Sequence, residues 1–177
     1  MKGCVPLKKK WIFLCFILLL LTGCSGGTKK LRFGTAGIGG VYHAFADTFA
    51  NILNTETDDF QTEVKTTAGS AANLRLLSEG YIQLAVVQAD LLQDAWNGEG
   101  SFAGGKTCQG YGAVAALYTE ACQIIVRDDS SIINMDDLLG KTVSVGEKES
   151  GTEQNAEKIL SASGLTDNMV TKVNLNY

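Results

Sequence analysis

Histidine is almost missing from this chain of 177 residues: His43 is the only one. Without a second histidine, and with no cysteine pair beside it, a metal centre of ordinary ligand set is not expected. Nucleophilic catalysis is equally short of parts. His43 is the sole base of its type, and Ser150 lacks the flanking glycine of a nucleophile elbow because Lys148 stands there. Spacing indicates neither a cysteine and histidine pair nor a carboxylate dyad. The expectation is therefore a protein without enzymatic activity, cofactor or metal. Proline is also scarce, with none after Pro6, so the turns of the body must be read from glycine and polar residues. Long apolar runs are missing too; Trp11 to Leu21, eleven residues, is the most continuous, and it is too short to span a bilayer.

That run has a basic start in Lys2, Lys8, Lys9 and Lys10, which makes residues 1–23 a secretory signal. It ends in Leu21-Thr22-Gly23-Cys24, which resembles the lipobox of bacterial lipoproteins, with Cys24 as the lipidated new N-terminus; the alternative is an ordinary signal with a chance cysteine. Residues 24–30, through Ser25, Gly26, Gly27, Thr28 and Lys29, read as a flexible tether. Four of the 15 basic residues lie in the signal, leaving 11 against 19 acidic ones. Nucleic acid is not an expected partner of so acidic a body. Cys108 and Cys122 remain as exported cysteines that either pair or stay as small buried apolar groups.

The stretch RFGTAGIGGVYHAFADTFANIL, Arg32 to Leu53, puts a glycine turn between a strand and a helix, where backbone amides can approach an anion. A Walker loop is excluded because Gly39 is followed by Gly40, Val41 and Tyr42, not by Lys and Ser or Thr. A dinucleotide fingerprint from Gly37 and Gly39 meets Tyr42 where it needs glycine. The anion is expected to be smaller than a nucleotide.

From Leu31 the chain alternates strands and helices, as in a parallel α/β sheet. Strands are expected at 31–33, 61–67, 84–87, 111–117, 123–126, 142–145 and 172–175. Helices are expected at 70–77, 90–96 and 150–161, the last ended by Gly164. Val41, Phe45, Thr48, Phe49 and Ile52 repeat at helical spacing in the first helix. Ser150 and Glu153, three apart, form a capping box.

The pieces FGTAGIGGVYHAFA, SAANLRLLSEG, LAVVQAD, AALYTEACQIIVR and LLGKTVSVGEKESGTEQNAEKIL, in that order, resemble the TAXI-type solute-binding receptors of TRAP transporters. The resemblance covers nearly all of Leu31 to Tyr177. It implies an α/β, periplasmic-binding-protein type II-like, two-lobed architecture. Residues 31–126 would be most of lobe one and 127–177 only the start of lobe two, so the chain is expected to be truncated. It also implies a small organic anion as ligand, a dicarboxylate or an acidic amino acid such as glutamate, a TRAP-type membrane permease as partner, and an extracytoplasmic, lipid-anchored location. A truncated lipoprotein acting as an interaction or sensory module, without transport, is the alternative.

A carboxylate fits helix-end amides without a lysine, so Gly39, Gly40 and Val41 are the first ligand candidates. Tyr42 either walls the pocket or caps the first helix. Ser70 and Asn73, one turn apart, offer hydrogen bonds to a ligand, or serve as an N-cap and a solvated side chain. Gln88 follows a strand at its carboxyl end, where open α/β sheets place their crevice; Asp90 beside it would repel an anion unless it meets an ammonium or caps a helix. Tyr118 is favoured by its position in the family. Ser150, Gly151 and Thr152 would close from lobe two. The family often has glycine before this serine, and Glu149 departs from that pattern.

Overall fold

A computed structural model describes residues 28–175. The signal segment, Cys24 and most of the tether lie outside the described residues. Strand β1 (Lys29–Gly34) leads into helix α1 (Val41–Glu56), β2 (Phe60–Lys65), α2 (Ser70–Ser78), β3 (Leu84–Ala85) and α3 (Ala89–Asn97). After a long irregular stretch come β4 (Thr142–Ser144), α4 (Gly151–Ala162) and β5 (Thr171–Val173). The first three strands form one parallel sheet in the order β2-β1-β3, with Phe33 opposite both Val64 and Leu84. Strands β4 and β5 form a second parallel pair, with Val143 opposite Lys172. Parallel pairing needs crossover connections, and α1, α2 and α4 supply them. The molecule is thus mixed α/β with parallel sheets. Among the described residues no helix is long and apolar enough to cross a membrane.

Burial explains why these segments hold. Phe33 of β1, Ala46 of α1 and Val86 after β3 share one buried cluster. Phe33 meets the rings of Phe45 and Phe49 edge-on, with centroids 6.4 and 5.9 Å away. The buried face of α1 is set by Ala46 and Ala50, not by the stripe expected through Val41, Thr48 and Ile52, all three of which are exposed. The small alanines let the helix axis approach the sheet, while the phenylalanine rings fill the flanks. Leu74, Leu91, Ala95, Phe102 and Cys108 form a second cluster between α2 and α3. Leu138, Val145, Leu160, Leu165 and Val170 form a third, around β4 and α4.

Helix α4 stops where its sequence says it should. Gly164 has φ +75°, its N–H donates to Ser161, and the Leu165 N–H reaches back to Leu160. That is a Schellman stop, and the Leu160 and Leu165 side chains pack in the same cluster.

Two expected strands are absent. Residues 111–127 have no regular secondary structure, so neither 111–117 nor 123–126 forms a strand. Val114 is 93 % exposed and Ile125 85 %. Their β-branched residues favour extended backbone, but a strand exists only with a ladder partner, and none lies alongside among the described residues. Cys108 is buried, Cys122 is exposed, and both are free thiols, so the disulfide alternative is not realised. Burial pushes the Cys108 thiol above its ordinary range.

Candidate functional site

The starts of four helices meet in one place. Helix α1 begins after Gly40, α2 after Gly69, α3 after Gln88 and α4 after Ser150. Gly69 lies against the Ser150 backbone, and a Cβ on Gly151 would overlap the Gln88 carboxamide, so only glycine lets α4 approach this closely. The Gln88 N–H donates to Ser70 Oγ at 3.1 Å. The Tyr42 phenol lies beside Ser70, and its hydroxyl donates to Glu120 Oε2 at 2.8 Å. These contacts connect the start of α3, through Ser70 of α2 and the Tyr42 side chain of α1, to the segment after Tyr118. Each helix start carries unpaired N–H groups and the positive end of its dipole, so their convergence makes an anion-favouring region.

Those four starts are not equally open. At α2 the Ala71 and Ala72 N–H groups both donate to the Glu149 carbonyl at 3.2 Å. At α4 the Ser150 hydroxyl accepts from the Glu153 N–H at 3.0 Å, and the Glu153 carboxylate accepts from the Glu149 N–H at 2.6 Å. This is the expected cap, displaced by one residue on its return arm. Helices α1 and α3 have no side-chain cap, and α1 has no acid in its first turn. Amide capacity for an outside anion is therefore concentrated on α1 and α3.

Glu149 is held by all its polar groups: its N–H and carbonyl as above, and its carboxylate at 3.4 Å from Arg75 Nε. Its φ is +65°, the left-handed conformation that glycine adopts without penalty. That is the physical reason a glycine suits this position. Lys158 of α4 adds a further link, reaching Asp90 at 2.8 Å and Asp94 at 3.2 Å on α3. Asp90 is thus tied to a lysine within the protein.

The expected site residues divide on geometry. Tyr42, Ser70, Gln88, Ser150 and Gly151 stand together through the contacts above, and Tyr118 lies near Glu120, the acceptor of the Tyr42 hydroxyl. Gly39 is exposed, with open space around its Cα, while Val41 is exposed at the first position of α1. Thr152, also exposed, packs its side chain close to Gly146. Asn73 stands elsewhere. It is fully buried; its Nδ2 donates to the Thr35 and Val86 carbonyls at 2.7 and 3.0 Å, and its Oδ1 accepts from Thr67. Its carboxamide joins the ends of β1 and β3. His43 lies 3.3 Å from Thr35 Oγ1 and 3.4 Å from Asp47. Among the described residues no group of histidines, cysteines and acids could hold a metal ion.

Glu120 is the residue that sequence reasoning passed over. In extended chain, residues two apart point to the same side, so Tyr118 and Glu120 were a readable pair within ALYTEAC. Burial, and then the Glu120 hydrogen bond, push the Tyr42 phenol well above its ordinary range. The Tyr118 phenol is raised as well, by burial and by the same carboxylate. Both phenols therefore remain neutral donors at physiological pH. A separate groove of about 380 Å³ between α3 and residues 111–113 is lined by Leu92, Trp96 and Tyr111. Its apolar walls suit side-chain packing, not an anion, and we place the polar chemistry at the helix starts.

The sequence profile of one family, described as NMT1-like, matches residues 33–177.

Proposed function

The chain belongs to the NMT1-like family, a periplasmic-binding-protein-like family, and from that premise we propose that it is an extracytoplasmic solute receptor of the TAXI type. In this reading it captures a small organic anion, a dicarboxylate or an acidic amino acid such as glutamate, and delivers it to a TRAP-type permease. Lipid on Cys24 would hold it at the membrane. It performs no chemistry on its ligand.

The observation that carries the reading is the meeting of four helix starts, with Gln88 bonded to Ser70, Tyr42 beside Ser70, and Tyr42 bonded to Glu120. A ligand carboxylate placed there takes amide hydrogen bonds from α1 and α3 without any lysine or arginine. Gly151 supports the same reading, because its missing side chain is what admits α4 to the group.

Amide chemical-shift mapping on the full chain tests this. Adding L-glutamate should move the signals of residues 39–42, 70–72, 88–91 and 150–152 saturably and leave those around β5 in place. Absence of saturable shifts with glutamate and with succinate would remove the receptor reading.

A further inference from the structure

Glu120 is a carboxylate set against a region built to attract anions. Its Oε2 accepts from the Tyr42 hydroxyl at 2.8 Å, and its charge also reaches the nearby Tyr118 phenol. Among the described residues no lysine, arginine or histidine stands within ion-pair distance of it. At the other helix starts, Asp90 has Lys158 as its partner, Glu149 stands 3.4 Å from Arg75, and Glu153 accepts from the Glu149 N–H. Glu120 thus brings an unneutralised negative charge to the Tyr42 side of the site, while the uncapped amides of α1 and α3 bring partial positive charge.

We infer that Glu120 selects the charge pattern of the ligand: the site takes a molecule bearing an ammonium beside its carboxylate, an amino acid, in preference to a dicarboxylate lacking one. The inference rests on the receptor reading above. A second carboxylate next to Glu120 would meet like charge, whereas an ammonium there gains an ion pair and a charge-assisted hydrogen bond. The Tyr42 phenol has one proton to offer and gives it to Oε2, which leaves the remaining lone pairs of the carboxylate as acceptors for the ligand's N–H groups.

L-Glutamate and glutarate share a five-carbon skeleton with two carboxylates and differ by the ammonium. Titrating both into the full chain, followed by amide shifts, should give glutamate a dissociation constant at least about tenfold lower, as a hydrogen bond to a charged group implies. Glu120→Gln should bring the two ligands to within about threefold of each other, by weakening glutamate and strengthening glutarate. Glu120 is exposed on an unpaired segment, so this variant keeps the fold, and its unliganded amide spectrum verifies that. Equal affinity for the two ligands in the native chain overturns the inference, as does an unchanged ratio in the variant. Equal strengthening of both ligands in Glu120→Gln also overturns it, since Glu120 would then be a competing anion. Those three outcomes leave the receptor reading standing, whereas binding of neither ligand removes both.

Discussion

The Ser150 hydroxyl accepts from the Glu153 N–H, and its own proton is not used in that cap. Ser150→Ala should therefore lower stability by about 1 kcal/mol, the ordinary worth of an N-cap, seen as a lower melting temperature. In a receptor that grips a carboxylate with this hydroxyl, glutamate affinity should also fall, by about tenfold to a hundredfold. A melting shift without an affinity change would return Ser150 to capping alone. Tyr42 makes a second prediction at this level. Its folded-state proton affinity is raised, above all by burial, so the neutral phenol stabilises the fold below the ordinary phenol value of about 10. That contribution is lost as pH climbs beyond it, because the unfolded chain releases the proton first. Denaturant melts between pH 9 and 11.5 should show alkaline destabilisation that is reduced in Tyr42→Phe; identical slopes would refute the assignment.

Helices were the elements most readable in advance, because their signals are local. Ser150 and Glu153 sit three residues apart, and Gly164 follows the last turn of α4. Gly164→Ala puts a Cβ on a residue at φ +75° and should cost about 1–2 kcal/mol, measured as a lower urea midpoint with unchanged slope. Strands were less readable. Residues 111–117 and 123–126 carry strand-like side chains yet have no ladder partner among the described residues, since pairing depends on a partner that local pattern does not reveal. Contacts between elements were equally hidden. Lys158 lies between Asp90 and Asp94, and hydrogen bonding to Asp90 raises its proton affinity. The pair with Asp90 is about half exposed, so solvent screening holds its worth below about 1 kcal/mol. Lys158→Met should lower the melting temperature slightly in dilute buffer, with the difference vanishing in molar salt; a salt-independent difference would show that packing, not charge, links α3 to α4.

For the molecule as a whole, the proposed setting is the outer face of a membrane. A lipidated Cys24 would bear at least two acyl chains, enough for stable anchoring. Cys24→Ala should move the protein from the membrane fraction to a soluble or unprocessed form, with loss of the lipid mass. Unchanged fractionation of a signal-cleaved product would remove the anchor from the proposal.

Order along the chain, the alternation of strand and helix, the glycine turn before α1 and the cap of α4 all follow from residues within a few positions of one another, which is why a linear reading reached them. The long-range pattern came only with folding. Asn73 was expected to meet a ligand, yet it bonds to Thr35, 38 positions away, and to Val86. Tyr42 reaches Glu120 across 78 positions, and Gln88 fits beside Gly151 because two helix starts are brought together by packed clusters distant in sequence. Side-chain chemistry states what a residue can donate or accept; which partner it meets is settled by the burial of apolar faces, and that is a property of the assembled chain.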